Sequence, residues 1–495
     1  MSGKGGEPGI LIGFGKASIY PAYSTEKKLA DDIDVRVLVA GDNENTAVLA
    51  IADLCSLWPS TCLRLRDKVS GALDVPRRNT GIFITQNHSA LFEGGDDVRL
   101  DAKKFDAAFL AAVKEARANM KPVEIARVAV RPEKPLNICR RFPLKGFGKF
   151  TVYYGHRVEG GEADAGHVIS RVLNSLKAGN PLQIRAHNVL TGAPAEFDVP
   201  AAPIPVPRPF YAAPAEDNLI QALFFRTLDG KPHGSILRFA SHPITANHLE
   251  MDWQSGDYPA YARRRLETEF GGMSVFLTGP CGNQTPLTAR KSLEFARKHG
   301  REVADAALKG LAGASWEQGG RVRAASPEVV LKVRKDCPDS LPALEKEKDA
   351  LEAQIREMAA SGAPLTGIKK LSDRYEFLNY HARGGLFQDW AGIRFEQLPD
   401  RKLRHPLFVM RIGRSVIAGL PGEPFGEYSV RLRKETLGDD LIVIEEANGW
   451  TSYYPTKEEC GLGGYEADND LFDPDSEDVL IAGAKKAIAE VRGDA

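Results

Sequence analysis

The chain has 495 residues, room for roughly two to four lobes or one large elaborated domain. Hydrophobic residues make up 43% and charged residues 26%, the balance of a globular protein that buries a sizeable core. Lysine and arginine number 65 against 66 acids, and the resulting net charge of −1 argues against a dedicated nucleic-acid binder while leaving enzymes open.

The N-terminus, MSGKGGEPGILIGFGKAS, carries only a short apolar stretch, too short for the core of a secretion signal. No segment approaches the roughly 18 apolar residues of a membrane helix. The six cysteines are scattered without a CxxC pair, which argues against a disulfide framework or a zinc knuckle. A cytoplasmic protein with reduced thiols and no integral membrane association is the expectation.

Mixed α and β signals run along the whole chain, without internal repeats. Residues 34–42 alternate apolar and polar as a half-buried strand does, and 46–52 form a continuous apolar run. Asp42-Asn43-Glu44-Asn45 between them suggests a hairpin. A helix is expected over 60–73 and a buried strand over 81–85. Phe105, Phe109, Val113 and Ala116 at helical spacing predict a helix over 102–119.

Residues 196–210 are proline-rich and read as a rigid surface connection. Residues 219–243 predict a second hairpin that turns at Asp229-Gly230. Tyr258, Ala262, Leu266 and Phe270 form one stripe of a helix that Pro259 opens and Gly271-Gly272 ends, with a strand following at 273–278. Residues 340–380 are charged and amphipathic, with Leu344, Leu351, Ile355 and Met358 on one face and Glu352 and Arg356 spaced to pair. They predict an exposed helical hairpin inserted in the fold, with a lid or an oligomer contact as its other roles. β character resumes in FVMRIGRSVIAGLPGEP and LIVIEEANGW.

Polar residues recur directly after these strands: His88, His242, the turn GPCGNQTP, Glu423 and Asn448-Gly449-Trp450. Strands fix the positions of such groups while the loops face a cleft. Imidazole nitrogen and carboxylate oxygen suit zinc, whose open coordination position acidifies bound water. Arg140 or Arg141 suits a developing oxyanion. An HExxH helix and a GxSxG elbow are both absent, which excludes a thermolysin-like site by pattern and argues against an α/β-hydrolase. Gly13-Phe14-Gly15 lacks the third glycine of a dinucleotide fingerprint.

The ordered set TQNHSALFEGG, NICRR, FASHPITAN, SGDYPAYARRRLE, GPCGNQTP, PGEPF and ANGWTSYYPTKEECGLGGYE resembles the neutral/alkaline non-lysosomal ceramidase family, in its N-terminal catalytic domain. The last block is the most specific element, and SGDYPAYA is next. The resemblance implies a mixed α/β fold in which sheets are flanked by helices. It implies one large catalytic domain over residues 1–495 with the 340–380 helical insertion, and without the immunoglobulin-like C-terminal domain that often follows in the family. It also implies zinc-activated water that hydrolyses an amide. Residue by residue, it places zinc ligands on His242, Glu423 and Tyr453, a substrate-holding arginine on Arg140, a hydroxyl on Thr285, an acid/base or oxyanion group on His88 and a substrate-positioning tyrosine on Tyr465.

The departure is at Gln86, which stands where the family has the first histidine of THTHS, a zinc ligand. An amide oxygen is a weaker zinc ligand than imidazole. Three states of the site follow. Zn2+ binds with Gln86 or a shifted His88 completing the shell, or a harder divalent ion replaces it, or no metal binds. Asn283 replaces an acid beside Thr285. A soluble small-molecule amide is expected as substrate in preference to ceramide, with no nucleic-acid partner and the oligomeric state open. The alternatives are a metal-free enzyme, with Cys281 or Thr285 as nucleophile and His242 as base, and a non-catalytic small-molecule binding protein.

Overall fold

In the computed structural model of the chain, the residues described are 9–90, 99–144, 148–151, 215–246, 252–287, 292–361, 363, 365–383 and 398–493. The proline-rich segment 196–210 lies outside them.

In chain order, the elements that build the site's scaffold begin with β1 (Leu11–Ser18), β2 (Asp34–Gly41), β3 (Thr46–Ala52), α1 (Pro59–Leu73), β4 (Thr80–Ile84), α2 (Ala102–Ala118), β5 (Lys121–Val130) and β6 (Asn137–Cys139). Next come β7 (Ile220–Thr227), β8 (Pro232–Phe239), α3 (Asp257–Glu269), β9 (Met273–Thr278), β10 (Gln284–Pro286), α4 (Leu293–Leu311), β11 (Trp316–Gln318) and β12 (Val322–Ala325). The last third gives α5 (Leu341–Ala360), α6 (Leu365–Arg383), β13 (Phe408–Ile412), β14 (Ser415–Gly419), β15 (Glu423–Pro424), α7 (Gly426–Glu435), β16 (Leu441–Ile444), β17 (Tyr453–Tyr454) and α8 (Ser476–Arg492).

Two sheets form the centre. The large sheet runs β9-β8-β7-β5-β1-β2-β3-β4, with β11 also paired to β5. The small sheet runs β12-β13-β14-β16. Their inner faces pack together through Phe14, Leu38, Leu49 and Phe83 on one side and Phe408, Met410, Ile417 and Ile442 on the other. Helices cover both outer faces. α1 and α2 pack on one half of the large sheet, and α3 and α4 on the other. α7 and α8 cover the small sheet. The continuous apolar runs of β3 and β4 follow from this layering, because strands buried on both faces have no polar side to show.

The expected local devices form. Asp42 Oδ1 accepts from the backbone N–H of Glu44 and Asn45, which closes the β2–β3 turn. Gly230, at φ 83°, turns the β7–β8 hairpin, and Gly271 and Gly272, at φ 103° and 70°, follow α3. α5 and α6 form the expected helical hairpin, clamped by Arg374 on Glu347 at 2.7 Å, with Glu352 and Arg356 paired at 2.7 Å. Most of its surface is charged, but it is anchored: Leu344, Phe377 and Leu378 are buried in the core beneath the small sheet. Among the described residues no helix is long and apolar enough to cross a membrane.

Three parallel strand pairs matter for the site: β3 with β4, β8 with β9, and β14 with β16. All the other pairings within the two sheets are antiparallel. The loops that leave the carboxyl ends of these parallel strands carry Gln86 and His88, His242, Gly279–Thr285, Glu423, and Glu445–Trp450. A crevice outside the carboxyl ends of parallel strands is the usual place for a ligand in an α/β sheet.

Candidate active site

His242 follows β8 and is 1% exposed. Its Nδ1 lies 2.9 Å from the carbonyl oxygen of Gln284. A carbonyl only accepts, so Nδ1 carries the proton and Nε2 is left with its lone pair. That lone pair faces Glu423 Oε2 at 3.1 Å. Burial first, then the charge of Arg140, holds the imidazole below its ordinary pKa, so the doubly protonated ring is disfavoured. Two acceptors face each other, and a positive centre must lie between them, a shared proton or a cation. The other oxygen, Glu423 Oε1, accepts the indole N–H of Trp450 at 2.7 Å, which fixes the carboxylate. Glu423 itself is set by a parallel bridge between β15 and β17 that pairs Glu423 with Tyr453.

Arg140 and Tyr453 form the adjoining wall. Arg140 donates from Nε to Glu466 Oε1 at 2.8 Å and from Nη2 to the carbonyl of Gly282 at 2.7 Å, and its Nη2 lies 3.4 Å from the Tyr453 hydroxyl. Arg141 Nη1 donates to Glu466 Oε2 at 2.9 Å. Burial works against the charge on Glu466, but Arg140 and Arg141 outweigh it and hold the acid below its ordinary pKa. The rings of Tyr453 and Tyr465 meet edge to face at 5.3 Å. His88 lies with its ring centre 5.7 Å from that of His242, and its Nδ1 is 3.6 Å from Cys55 Sγ.

Gln86 directs its amide oxygen at Cys281. Its Oε1 accepts from Cys281 Sγ at 3.4 Å, and its Nε2 is buried without a partner. Its φ of 58° is left-handed, a strain that tends to collect at functional sites. Thr285 lies in β10, opposite Ile138 of β6, and is 2% exposed. Asn283, beside it, bridges Glu427 and the backbone N–H of Gly426. Cys281 sits on Glu445, with its N–H at 2.8 Å and its Sγ at 3.0 Å from that carboxyl. Burial, then Glu445, pushes the thiol well above its ordinary pKa. A protonated thiol is a poor nucleophile, which counts against a cysteine mechanism.

The structure therefore brings together His242, Glu423, Tyr453, Arg140, His88 and Tyr465, and turns Gln86 toward Cys281. It gives a role to Trp450 of the strand-end turn and adds Glu466 and Glu446, which the sequence did not single out. Trp450 orients Glu423, and Glu466 holds both arginines. Glu446 is 1% exposed with neither carboxyl oxygen paired, at φ 59°. Burial first, then the charges of Glu423 and Glu445, pushes its pKa well up. Asp257, in the SGDYPAYA block, pins two of the site's loops: Ser89 Oγ and the N–H of Ala246 donate to Oδ2, and the N–H of Thr245 donates to Oδ1.

A divalent cation fits this donor set. The 3.1 Å between His242 Nε2 and Glu423 Oε2 suits two atoms each about 2 Å from one ion. Among the described residues, no three histidine, cysteine or carboxylate side chains form a metal shell by themselves. Tyr453, on the strand paired with Glu423, would be a third donor.

No family model matches the chain, and no curated protein matches it. Solved structures do match. A neutral ceramidase from Pseudomonas aeruginosa is similar over 98% of this chain and 75% of its own, with a TM-score of 0.61 and 16% identity. A structure described as ceramidase complexed with C2 is similar over 99% and 76%, again with a TM-score of 0.61 and 16% identity. The chain has a ceramidase-like mixed α/β fold.

Proposed function

We propose that the chain is a ceramidase-like hydrolase that cleaves an amide bond of a small molecule with activated water. One observation carries the reading. A buried histidine with its tautomer set by Gln284 presents a bare nitrogen to a carboxylate oxygen at 3.1 Å, at the carboxyl ends of parallel strands. His242, Glu423 and Tyr453 would hold a divalent cation, Zn2+ by the nature of the donors. When bound, such an ion lowers the pKa of water to about 7 and polarises a carbonyl.

The chain's own residues supply the rest. His88, beside His242, accepts a proton from the attacking water and returns it to the departing amine nitrogen as the C–N bond breaks. Arg140, held by Glu466, stabilises the oxygen that gains negative charge. Tyr465, against Tyr453, and Thr285 position the substrate. A second reading is favoured by the Gln86–Cys281 contact: the pair shares a proton instead of a metal, and by losing and regaining that proton it serves as a metal-free acid and base.

Metal analysis of the purified full-length chain, with mass-spectrometric turnover of a panel of N-acyl amines that includes ceramide, tests this. The expected result is about one divalent ion per chain and hydrolysis that a chelator abolishes and metal restores. Hydrolysis without metal, indifferent to chelator, selects the proton-sharing reading. Binding without turnover of any amide or ester refutes the hydrolase.

A further inference from the structure

A cavity of about 560 Å³ has none of His88, Arg140, His242, Glu423, Tyr453 and Tyr465 in its lining, and only Asn448 of the site's loops reaches it. It opens at the first turn of α1, where Pro59 begins the helix and Trp58, at the N-cap, supplies no side-chain cap. The leading N–H groups of a helix carry partial positive charge and favour an anion. Four guanidinium groups add to it, from Arg66, Arg77, Arg78 and Arg404, against a single acid, Glu328, in the lining.

The four arginines are not equivalent. Arg77 is paired with Asp67 at 2.5 Å. Arg78 and Arg404 are exposed and have no ion pair among the described residues. Arg66 is the telling one. It is 3% exposed, and its hydrogen bonds go to the carbonyls of Thr80 and Arg77 and to the hydroxyl of Ser326, at 2.9, 3.2 and 2.8 Å. None of these is a carboxylate. A buried cation held only by neutral oxygens keeps an uncompensated charge, which an anion in the cavity would balance. Burial pulls its pKa down to about 10.

The rest of the lining is mixed: Ser60, Ser326, His405 and Asn448 are polar, and an apolar part is formed by Leu63, Leu398 and Leu403 with two prolines. Leu63, an exposed large aliphatic residue at 46%, and Leu403 face the same space. A bare inorganic ion would leave this apolar part wet. We propose that the cavity binds an amphiphilic anion, a carboxylate or phosphate head on a short alkyl body, with the head on the arginines and the body on Leu63 and Leu403. This site is independent of the hydrolase reading.

Isothermal titration of the full chain with octanoate and with octyl phosphate tests it, against acetate, inorganic phosphate and octanol. The expected result is saturable binding of an octyl anion at least about tenfold tighter than the head or the tail alone. The preferred anion identifies the head. An octyl anion could also enter the amide-cleaving site, so Arg78→Ala/Arg404→Ala and Leu63→Ser decide the location. Both lie on the surface and leave the core untouched. Each arginine removed weakens binding by about tenfold, the scale of one charge-assisted hydrogen bond. No saturable binding of either octyl anion, or equal affinity in wild type and the double arginine variant, overturns the proposal.

Discussion

Replacing Glu466 by glutamine tests whether the arginine wall of the site is held by charge. Glu466 is fully buried and accepts three hydrogen bonds, from Arg140, Arg141 and Thr151. Arg141 keeps a second acid, Glu459, at 2.9 Å. Arg140 also donates to the Gly282 carbonyl and lies 3.4 Å from the Tyr453 hydroxyl, neither of them an acid. Three charge-assisted bonds at about 1.5–3 kcal/mol each give an upper bound near 5–9 kcal/mol. The glutamine oxygen still accepts from one or two of these donors. The net loss is therefore that of one uncompensated buried charge, about 3–5 kcal/mol. Urea unfolding followed by circular dichroism reads it directly. The sign with pH is also fixed. The folded acid lies below its ordinary pKa, so its stabilisation is present above the unfolded value of 4.5 and is lost as pH falls through the lower folded value. The variant should lack that acid-side loss. Hydrolysis should fall with it, because Arg140 is then free to leave the Tyr453 hydroxyl. A variant within about 1 kcal/mol of wild type, with the same acid limb, would show that the arginines are held by packing and carbonyls and that the charge argument is wrong.

Further outcomes follow from single contacts. A Cβ added at Gly282 would meet the carbonyl oxygen of Glu423 at 2.5 Å, so Gly282→Ala should displace that residue and cut turnover by at least about tenfold, measured by steady-state kinetics, while the far core stays folded. Asp257→Asn turns an acceptor of backbone N–H bonds into a part-donor, and it should loosen the loops of Ser89 and Thr245 with a loss of about 2–3 kcal/mol, visible as faster amide exchange there. His405 is buried and held down to a pKa of about 4, against 6.5 in the unfolded chain. Its folded form resists protonation, so stability is complete above pH 6.5 and is lost as pH falls toward 4, by about 3 kcal/mol. His405→Gln should flatten that slope in a series of thermal melts from pH 7 to 4.

What the sequence made legible divides along physical lines. Strand and helix signals were local, and α2, the β7–β8 hairpin and α3 lie where periodicity and turn residues put them. The Ile10–Phe14 stretch was weighed as a signal segment, and Gly13-Phe14-Gly15 as a dinucleotide fingerprint, but not as a strand. It belongs to β1, where a Cβ at Gly13 or Gly15 would meet the backbone of α2, so those glycines permit the helix to lie close. The strand-end histidines and Glu423 were legible because loops at strand ends face clefts. Glu466 and Glu446 were not, and Trp450 was legible only as part of a strand-end turn. Glu466 lies 326 residues from Arg140, and no local pattern links them. The EEANGW run was read for its turn, and a pair of acids at a strand end resembles a solvated edge until burial is known.

The charges of the site fall into two unlike groups. Glu466 lies against two guanidiniums and is matched. Glu423, Glu445 and Glu446 are all buried, and among the described residues none of them pairs with an arginine or a lysine. Burial, with the neighbouring acids, pushes Glu445 and Glu446 well above the ordinary carboxylate range. A protein selected for stability alone would have replaced Glu446 with an apolar residue, since its oxygens are unpaired and its backbone is strained. A bound cation would answer the acids' charge and fill the gap between His242 Nε2 and Glu423 Oε2. The cation would then stabilise as well as activate. At one hundred times its dissociation constant it adds about 2.7 kcal/mol, read as a rise in melting temperature on titration with Zn2+. Glu423→Gln should remove most of that rise. If the melting temperature does not respond to any divalent ion, the acids are held neutral by protons, and Glu446→Leu should then be more stable than the wild type.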